Sequence, residues 1–194
     1  NLYLGFTADQ MVNIGVQSIP IVMLTSLFSG MVTSVQAAYQ FESGFVPNWF
    51  VGSVVGESVI LELAPMITGL VMTGKIGATI TAEIGTMRVT EQIDALESLS
   101  FDPVSFLIMP RVLAAAIMFP ILVIVADFCG ILGGLFAAHS AMDVSTQEFV
   151  RGFRTFFKPW DAWFGLIKGI FFGIAITSIA SYKGFTTEGG AEGV

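Results

Sequence analysis

Apolar residues in this chain fall in long unbroken runs rather than in the stripes of an amphipathic soluble helix. A helix that crosses a bilayer needs about 20 mostly apolar residues. Four segments meet that length, at about 14–38, 50–82, 104–138 and 161–182. The first carries no charge, the second carries Glu57, Glu62 and Lys75, the third Arg111 and Asp127, and the fourth Lys168. At about 1.5 Å per residue the second span would be roughly 50 Å long, so it must tilt, bend or protrude. Pro65 has no N–H to give the carbonyl of Leu61, which predicts a kink there. Small residues recur four apart as Ser26, Gly30 and Ser34, as Gly52 and Gly56, as Ala126, Gly130, Gly134 and Ala138, and as Gly165, Gly169 and Gly173. That spacing lets helix backbones approach closely in lipid. The expected fold is an all-α integral membrane protein, a bundle of four spans in a single transmembrane domain over 1–194.

Two segments between the spans also read as helices. Ser145-Thr-Gln-Glu148 fits a capping box, and Phe149, Val150, Phe153, Phe156 and Phe157 then form one apolar face with Arg151 and Arg154 on the polar side. An amphipathic helix over about 145–157, at the membrane surface or packed on the bundle, is expected. Over about 89–99, Val89, Ile93 and Leu96 share one face while Glu91, Asp94 and Glu97 line another. Between Glu83 and Asp102 there are five acidic residues and one basic one, Arg88. An apolar ridge beside an acidic face disfavours an anionic leaflet and suits a protein groove with basic residues. Orientation is close to a tie under the positive-inside rule, with Arg88, Arg111 and Lys183 set against Arg151, Arg154 and Lys158.

Composition narrows the class further. Apolar residues make up 54% of the chain and charged residues 12%, with a mean hydropathy of +0.81, about half the charge a soluble domain carries. The net charge of −7 excludes a basic nucleic-acid footprint. A lone Cys129 excludes an intrachain disulfide or a multi-cysteine metal site and is expected to be a buried small hydrophobe. Gly69-Leu-Val-Met-Thr-Gly74-Lys75-Ile76 approaches a phosphate-binding loop, but Ile76 replaces the hydroxyl residue and no strand precedes it. Any ATP must then be hydrolysed in another subunit. His139 has no partner at ligand spacing, and no nucleophile constellation is present; neither catalytic nor metal-binding residues are expected. A carboxylate inside a bilayer costs about 2.5 kcal/mol or more, so Glu57, Glu62 and Asp127 need a cavity or a partner. Glu57 and Glu62 lie five apart, about 140° around an ideal helix, so they diverge unless the helix is distorted. Each could be a structural hydrogen-bonding group, a polar point in a substrate cavity or a proton site, and Lys168 could snorkel.

The stretch Glu62-Leu-Ala-Pro65, Gly74-Lys-Ile-Gly77-Ala, Ala82-Glu83-Ile-Gly85-Thr-Met-Arg88-Val-Thr-Glu91-Gln92-Ile-Asp94-Ala95-Leu96, Asp102-Pro103 and Pro110-Arg111 resembles the signature of MlaE-type permeases. It departs from the family pattern at Ala64, where Gly is frequent, and at Lys75, where Arg is frequent. The resemblance implies a homodimeric permease subunit with an N-terminal interfacial helix and about five spans per subunit. It implies a separate ABC ATPase holding ATP and magnesium, an MCE-domain lipid-binding protein on the outer side, and phospholipid or a related lipid as cargo. Its setting would be the bacterial inner membrane. By the same analogy the helix at about 89–99 is the coupling helix, with Glu91, Gln92, Asp94, Ala95 and Leu96 facing the ATPase from the cytoplasmic side. The helix at about 145–157 then lies on the outer side, and Glu62, with Glu57, lies near a lipid cavity. A proton-coupled carrier or channel using Glu57, Glu62 and Asp127 is the alternative. The absence of an initiating methionine and of a last family span after Val194 suggests part of a somewhat longer protein.

Overall fold

The computed structural model describes residues 2–41, 47–142 and 144–194, and within them every regular element is helical. In chain order these are α1 (Leu2–Ile14), α2 (Ile19–Phe41), α3 (Phe50–Ser58), α4 (Ala64–Met72), α5 (Ala78–Val89), α6 (Gln92–Ser98), α7 (Met109–Met142), α8 (Thr146–Phe156), α9 (Pro159–Phe185) and α10 (Gly190–Gly193). Four stretches are long and apolar enough to cross a membrane: Tyr3–Phe41, Phe50–Val89, Val104–Ala141 and Pro159–Phe185. The four expected spans are therefore present, each longer than the apolar run that marks it. Helical hydrogen bonding continues into polar residues at the ends, where hydropathy gives no signal. Single-turn irregularities interrupt the first two stretches and open the third. A 3₁₀ turn at Val16–Ser18 separates α1 from α2. Wider π turns lie at Val59–Leu63, Thr73–Gly77 and Val104–Ile108. Just before Pro65, where a kink is expected, the helix takes up the first of these π turns, a usual outcome where the i to i−4 ladder is interrupted.

Two compact units divide the chain, one made of Asn1–Ser18, Gly69–Pro120 and Ile170–Val194, the other of Ile19–Thr68 and Ile121–Gly169. In the second unit the small-residue ridges do what their spacing suggests. A Cβ on Gly30 would overlap the carbonyl of Gly130, and one on Gly133 would overlap that of Leu27, so α2 and α7 meet backbone to backbone. Likewise α3 packs on α8: a side chain at Gly52 would strike the Phe149 backbone, and one at Gly152 the Trp49 carbonyl. Without water to drive apolar association, such close backbone contact is the main source of helix–helix attraction in lipid.

The capping box that opens α8 forms in full, with Ser145 Oγ accepting from the Glu148 N–H at 3.2 Å and Glu148 accepting from the Ser145 N–H at 3.0 Å. The Ser145 hydroxyl, which donates to the Glu148 carboxylate at 2.8 Å, and the Ser145 N–H together hold that carboxyl below its ordinary range. The Phe face turns toward α3: Phe149 is buried, and the half-buried Phe153 ring occupies the space a side chain at Gly56 would need. Phe156 and Phe157, expected on the same face, stay exposed. Phe153→Asp is expected to destabilise the protein by about 2 kcal/mol, because it sets a charge against the α3 backbone. The melting temperature of the full chain in detergent checks this, and an unchanged value would remove the α3–α8 contact from the stability of the unit.

In the first unit, Gly173 backs onto the Ala115 carbonyl and the Phe119 ring, and Gly184 onto the Thr81 carbonyl and Ile84. Threonines at 73, 79, 81 and 86 donate to the carbonyl four residues back, the usual way a hydroxyl is satisfied inside a membrane helix.

Candidate functional site

The segment between the second and third spans begins where α5 ends. The helix expected over about 89–99 is shorter and is offset by a turn. Val89 belongs to α5, Thr90 and Glu91 turn the chain, and α6 proper is Gln92–Ser98. Glu91 adopts a left-handed backbone with φ 58°, and Ser100, just past the other end, does the same with φ 63°. At that end the Phe101 N–H bonds the Leu96 carbonyl at 3.1 Å and the Ser100 N–H bonds the Glu97 carbonyl at 2.9 Å, which is a Schellman closure. A non-glycine residue in this conformation costs on the order of 1 kcal/mol, so α6 is bracketed by two positions where compactness outweighs local preference.

Its faces differ from the expected ones. Glu91, Gln92, Asp94, Ala95 and Glu97 are exposed, as the acidic-face pattern predicts. Ile93, expected on an outward apolar ridge, is instead fully buried at 0% exposure. Leu96 is half-buried, and the outward apolar groups are Leu99 at 68% and Phe101 at 51% exposure. The ridge is lost because the turn at Glu91 breaks the periodicity that joined Val89 to Ile93. Asp94 is paired with Arg88 at 2.7 Å, and Arg88 also lies 5.8 Å from the centre of the Phe185 ring. Beyond α6, Asp102 caps the next helical turn by accepting from Val104, Ser105 and the Ser105 hydroxyl, which holds its carboxyl below the ordinary range.

Arg111, counted from the sequence as a flanking charge, is 1% exposed. One guanidinium nitrogen donates to Glu83 at 3.0 Å and the other to the Leu107 carbonyl at 2.8 Å, while its carbon lies 5.5 Å from the centre of the Phe6 ring. Phe6 of α1 in turn stacks on Phe106, and Tyr3 meets the same ring edge-on. The N-terminal helix, the end of the second span and the start of the third are thus joined at one cation. Lys75, in the second π turn, donates to the Gln17 carbonyl and, at 3.0 Å, to the Ser18 hydroxyl. It therefore satisfies the break between α1 and α2 rather than any phosphate.

The candidate cavity carboxylates lie in the other unit. From Gly56 to Thr68 the exposed positions are Glu57, Glu62 and Met66, steps of five and then four. The π turn at Val59–Leu63 adds the extra residue, so Glu57 and Glu62 share one exposed stripe where an ideal helix would have separated them. Glu57 also borders a narrow recess with Ser53, Phe153 and Asp161. Lys168 is half-buried and donates to the Leu61 carbonyl at 2.7 Å, so it does not snorkel. One oxygen of Asp127 is buried without a hydrogen-bond partner, Cys129 is buried, and His139 is exposed near the end of α7 with Nδ1 3.3 Å from the Val144 carbonyl.

Residues 7–194 match the family described as Permease MlaE. The chain belongs to that family. Among its relatives, a "Probable ABC transporter permease protein" of Rickettsia prowazekii is 40% identical over 193 residues, covering all of this chain and 74% of the relative. A protein of the same description from Synechocystis is 40% identical over 188 residues, covering 97% of this chain and 71% of the relative. The Arabidopsis thaliana chloroplast protein TRIGALACTOSYLDIACYLGLYCEROL 1 is 34% identical over 188 residues, covering 97% of this chain and 53% of the relative. This MlaE-family protein is accordingly an ABC transporter permease, a multi-pass membrane protein. The spacing of apolar residues gave no warning that the permease commits Lys75, Arg111 and Lys168 to backbone carbonyls. The only sequence signal was the presence of each cation within a few residues of a Gly or Pro in an apolar run.

Proposed function

We propose that this permease moves phospholipids or related lipids between membranes as one half of a homodimer, driven by a separate ABC ATPase and working with an MCE-domain lipid-binding protein. The observation that carries the ATPase coupling is the α5–α6 corner, where Glu91 in the turn and Gln92, Asp94 and Ala95 on the short helix after it are exposed between two spans. With Asp94 held by Arg88 and Glu83 by Arg111, Glu91 and Glu97 have no ion-pair partner among the described residues. Leu99 and Phe101 add exposed apolar surface beside them. A basic groove with an apolar floor fits that corner. Placing it in the cytoplasm rests on the family's coupling arrangement, because the burial of Arg111 leaves Arg88 and Lys183 against Arg151, Arg154 and Lys158 in the charge count. The helix α8 then lies on the outer side.

Lipid as the cargo is supported by family membership and by the glycerolipid in the name of the Arabidopsis relative. Glu62 and Glu57 supply the polar points of an otherwise apolar pathway, since carboxylates are retained in spans where they meet a hydrated or polar neighbourhood. A self-contained proton carrier would need no ATPase-docking corner. Two measurements test the proposal. Purification of the tagged full chain from its own membranes should bring down an ATPase subunit. Glu62→Ala should leave that assembly intact and lower the co-purifying lipid and the transport rate about tenfold, the effect of losing one charge-assisted contact. Unchanged lipid occupancy and transport would take Glu62 out of the pathway.

A further inference from the structure

Pro65 leaves a defect in the second span. In an α-helix its amide would bond the Leu61 carbonyl, and in the π turn, where the Ala64 N–H already reaches Val59, it would bond that of Ile60. It supplies neither. A carbonyl without a donor inside a membrane is costly, so something else must satisfy these groups. The fourth span packs against both carbonyls over one helical turn and supplies a donor to one of them, that of Leu61. At Gly165 the absence of a side chain lets α9 approach closely, since a Cβ there would lie 2.7 Å from the Ile60 carbonyl oxygen and 3.5 Å from Pro65 Cγ. Three residues on, Lys168 Nζ donates to the Leu61 carbonyl at 2.7 Å and rests 4.5 Å from the centre of the Phe164 ring. Glu62 is the residue next to the carbonyl so held, and the same π turn puts it on the exposed stripe with Glu57.

We propose that Lys168 is a positioning residue: its ammonium substitutes for the amide hydrogen missing at Pro65 and so maintains the π turn that presents Glu62. The local role stands on these contacts alone, whereas its bearing on transport rests on the lipid-pathway assignment of Glu62. Mid-span lysine is thereby explained without a ligand, and Pro65, Gly165 and Lys168 form one device.

The dependence on Pro65 makes this testable by a double-mutant cycle. The full-length transporter in membrane vesicles carries Cys129→Ala and Glu62→Cys, and the rate of maleimide reaction at position 62 reports how that side chain is presented. Lys168→Met should change the rate about tenfold, the consequence of losing a charged hydrogen bond. In a Pro65→Ala background, where an amide N–H is again available for the carbonyl, the same substitution should change it by less than about twofold. An equal effect in both backgrounds would show that Lys168 acts on something other than the proline defect, such as the anion of a bound lipid, and would overturn the proposal. No effect in either background would do so too. If Lys168→Met fails to accumulate with Pro65 present but accumulates with Pro65→Ala, the device is supported; failure in both backgrounds counts against it. Labelling is read without transport, so a failure here is distinct from a failure of the Glu62 transport test.

Discussion

Arg111→Ala is expected to be the most destabilising single substitution, lowering the stability of the folded chain by about 3 kcal/mol. The guanidinium is buried, and its two bonds join Glu83 to the Leu107 carbonyl. Removing it leaves the carbonyl without that donor, Glu83 without its cation and a void against Phe6. The figure belongs at the low end for a broken buried pair, because the Glu83 side chain is 45% exposed and can be solvated in the mutant. Arg111→Lys should recover only part of the loss, since one ammonium cannot reproduce the forked geometry that reaches two acceptors. Fluorescence-detected melting of the full chain, with accumulation in the membrane as a second readout, checks both variants. Wild-type melting of Arg111→Ala would mean that the joint between α1 and the ends of α5 and α7 is dispensable.

The second large effect is functional. Glu91→Lys combined with Asp94→Lys is expected to weaken ATPase binding about tenfold or more, or to leave hydrolysis running without transport, while the membrane bundle persists. Two charges are then reversed at the corner proposed to meet a basic groove, and the change at Asp94 also sets a lysine against Arg88, 2.7 Å from the carboxylate it replaces. The loss should shrink as salt is raised, because exposed charges are screened beyond about 10 Å at 0.1 M. Pull-down of the ATPase and ATP hydrolysis coupled to lipid movement are the measurements. A fully coupled complex would remove α6 from the transmission of ATPase closure. Asp94→Lys alone tests whether Arg88 acts by fixing the corner: in that case the single variant should lower the melting temperature as well as the affinity.

Much of this is legible in the sequence. Long apolar runs specify membrane helices because a bilayer offers backbone groups no water, so composition over about 20 residues decides the element. The four spans therefore appear where the runs lie. The capping box at Ser145 and Glu148 was equally plain, since both of its hydrogen bonds close within three residues. Small residues four apart marked the faces on which α2, α3 and α7 are closely approached, because that requirement is written on each helix separately, but they did not say which helix each would meet. The acidic face of α6 was correct as well.

What the sequence could not decide is where the polar groups inside those helices go. Ile93 reads as outward only if one helix runs from Val89 to Leu99, and the left-handed turn at Glu91 reverses that. Arg111 and Glu83 are 28 residues apart and Lys168 and Leu61 are 107 apart, so no local spacing links them. Pro65 announced a defect but not its form: a sharp bend and a π turn both accommodate a residue without an amide hydrogen, and the choice depends on a neighbouring helix able to approach at Gly165 and donate from Lys168. Glu57 and Glu62 share a stripe for the same reason, because the inserted residue that aligns them is held by a contact from another span. Periodicity is a property of one helix, whereas the partners of buried charges and orphaned carbonyls are properties of the packing.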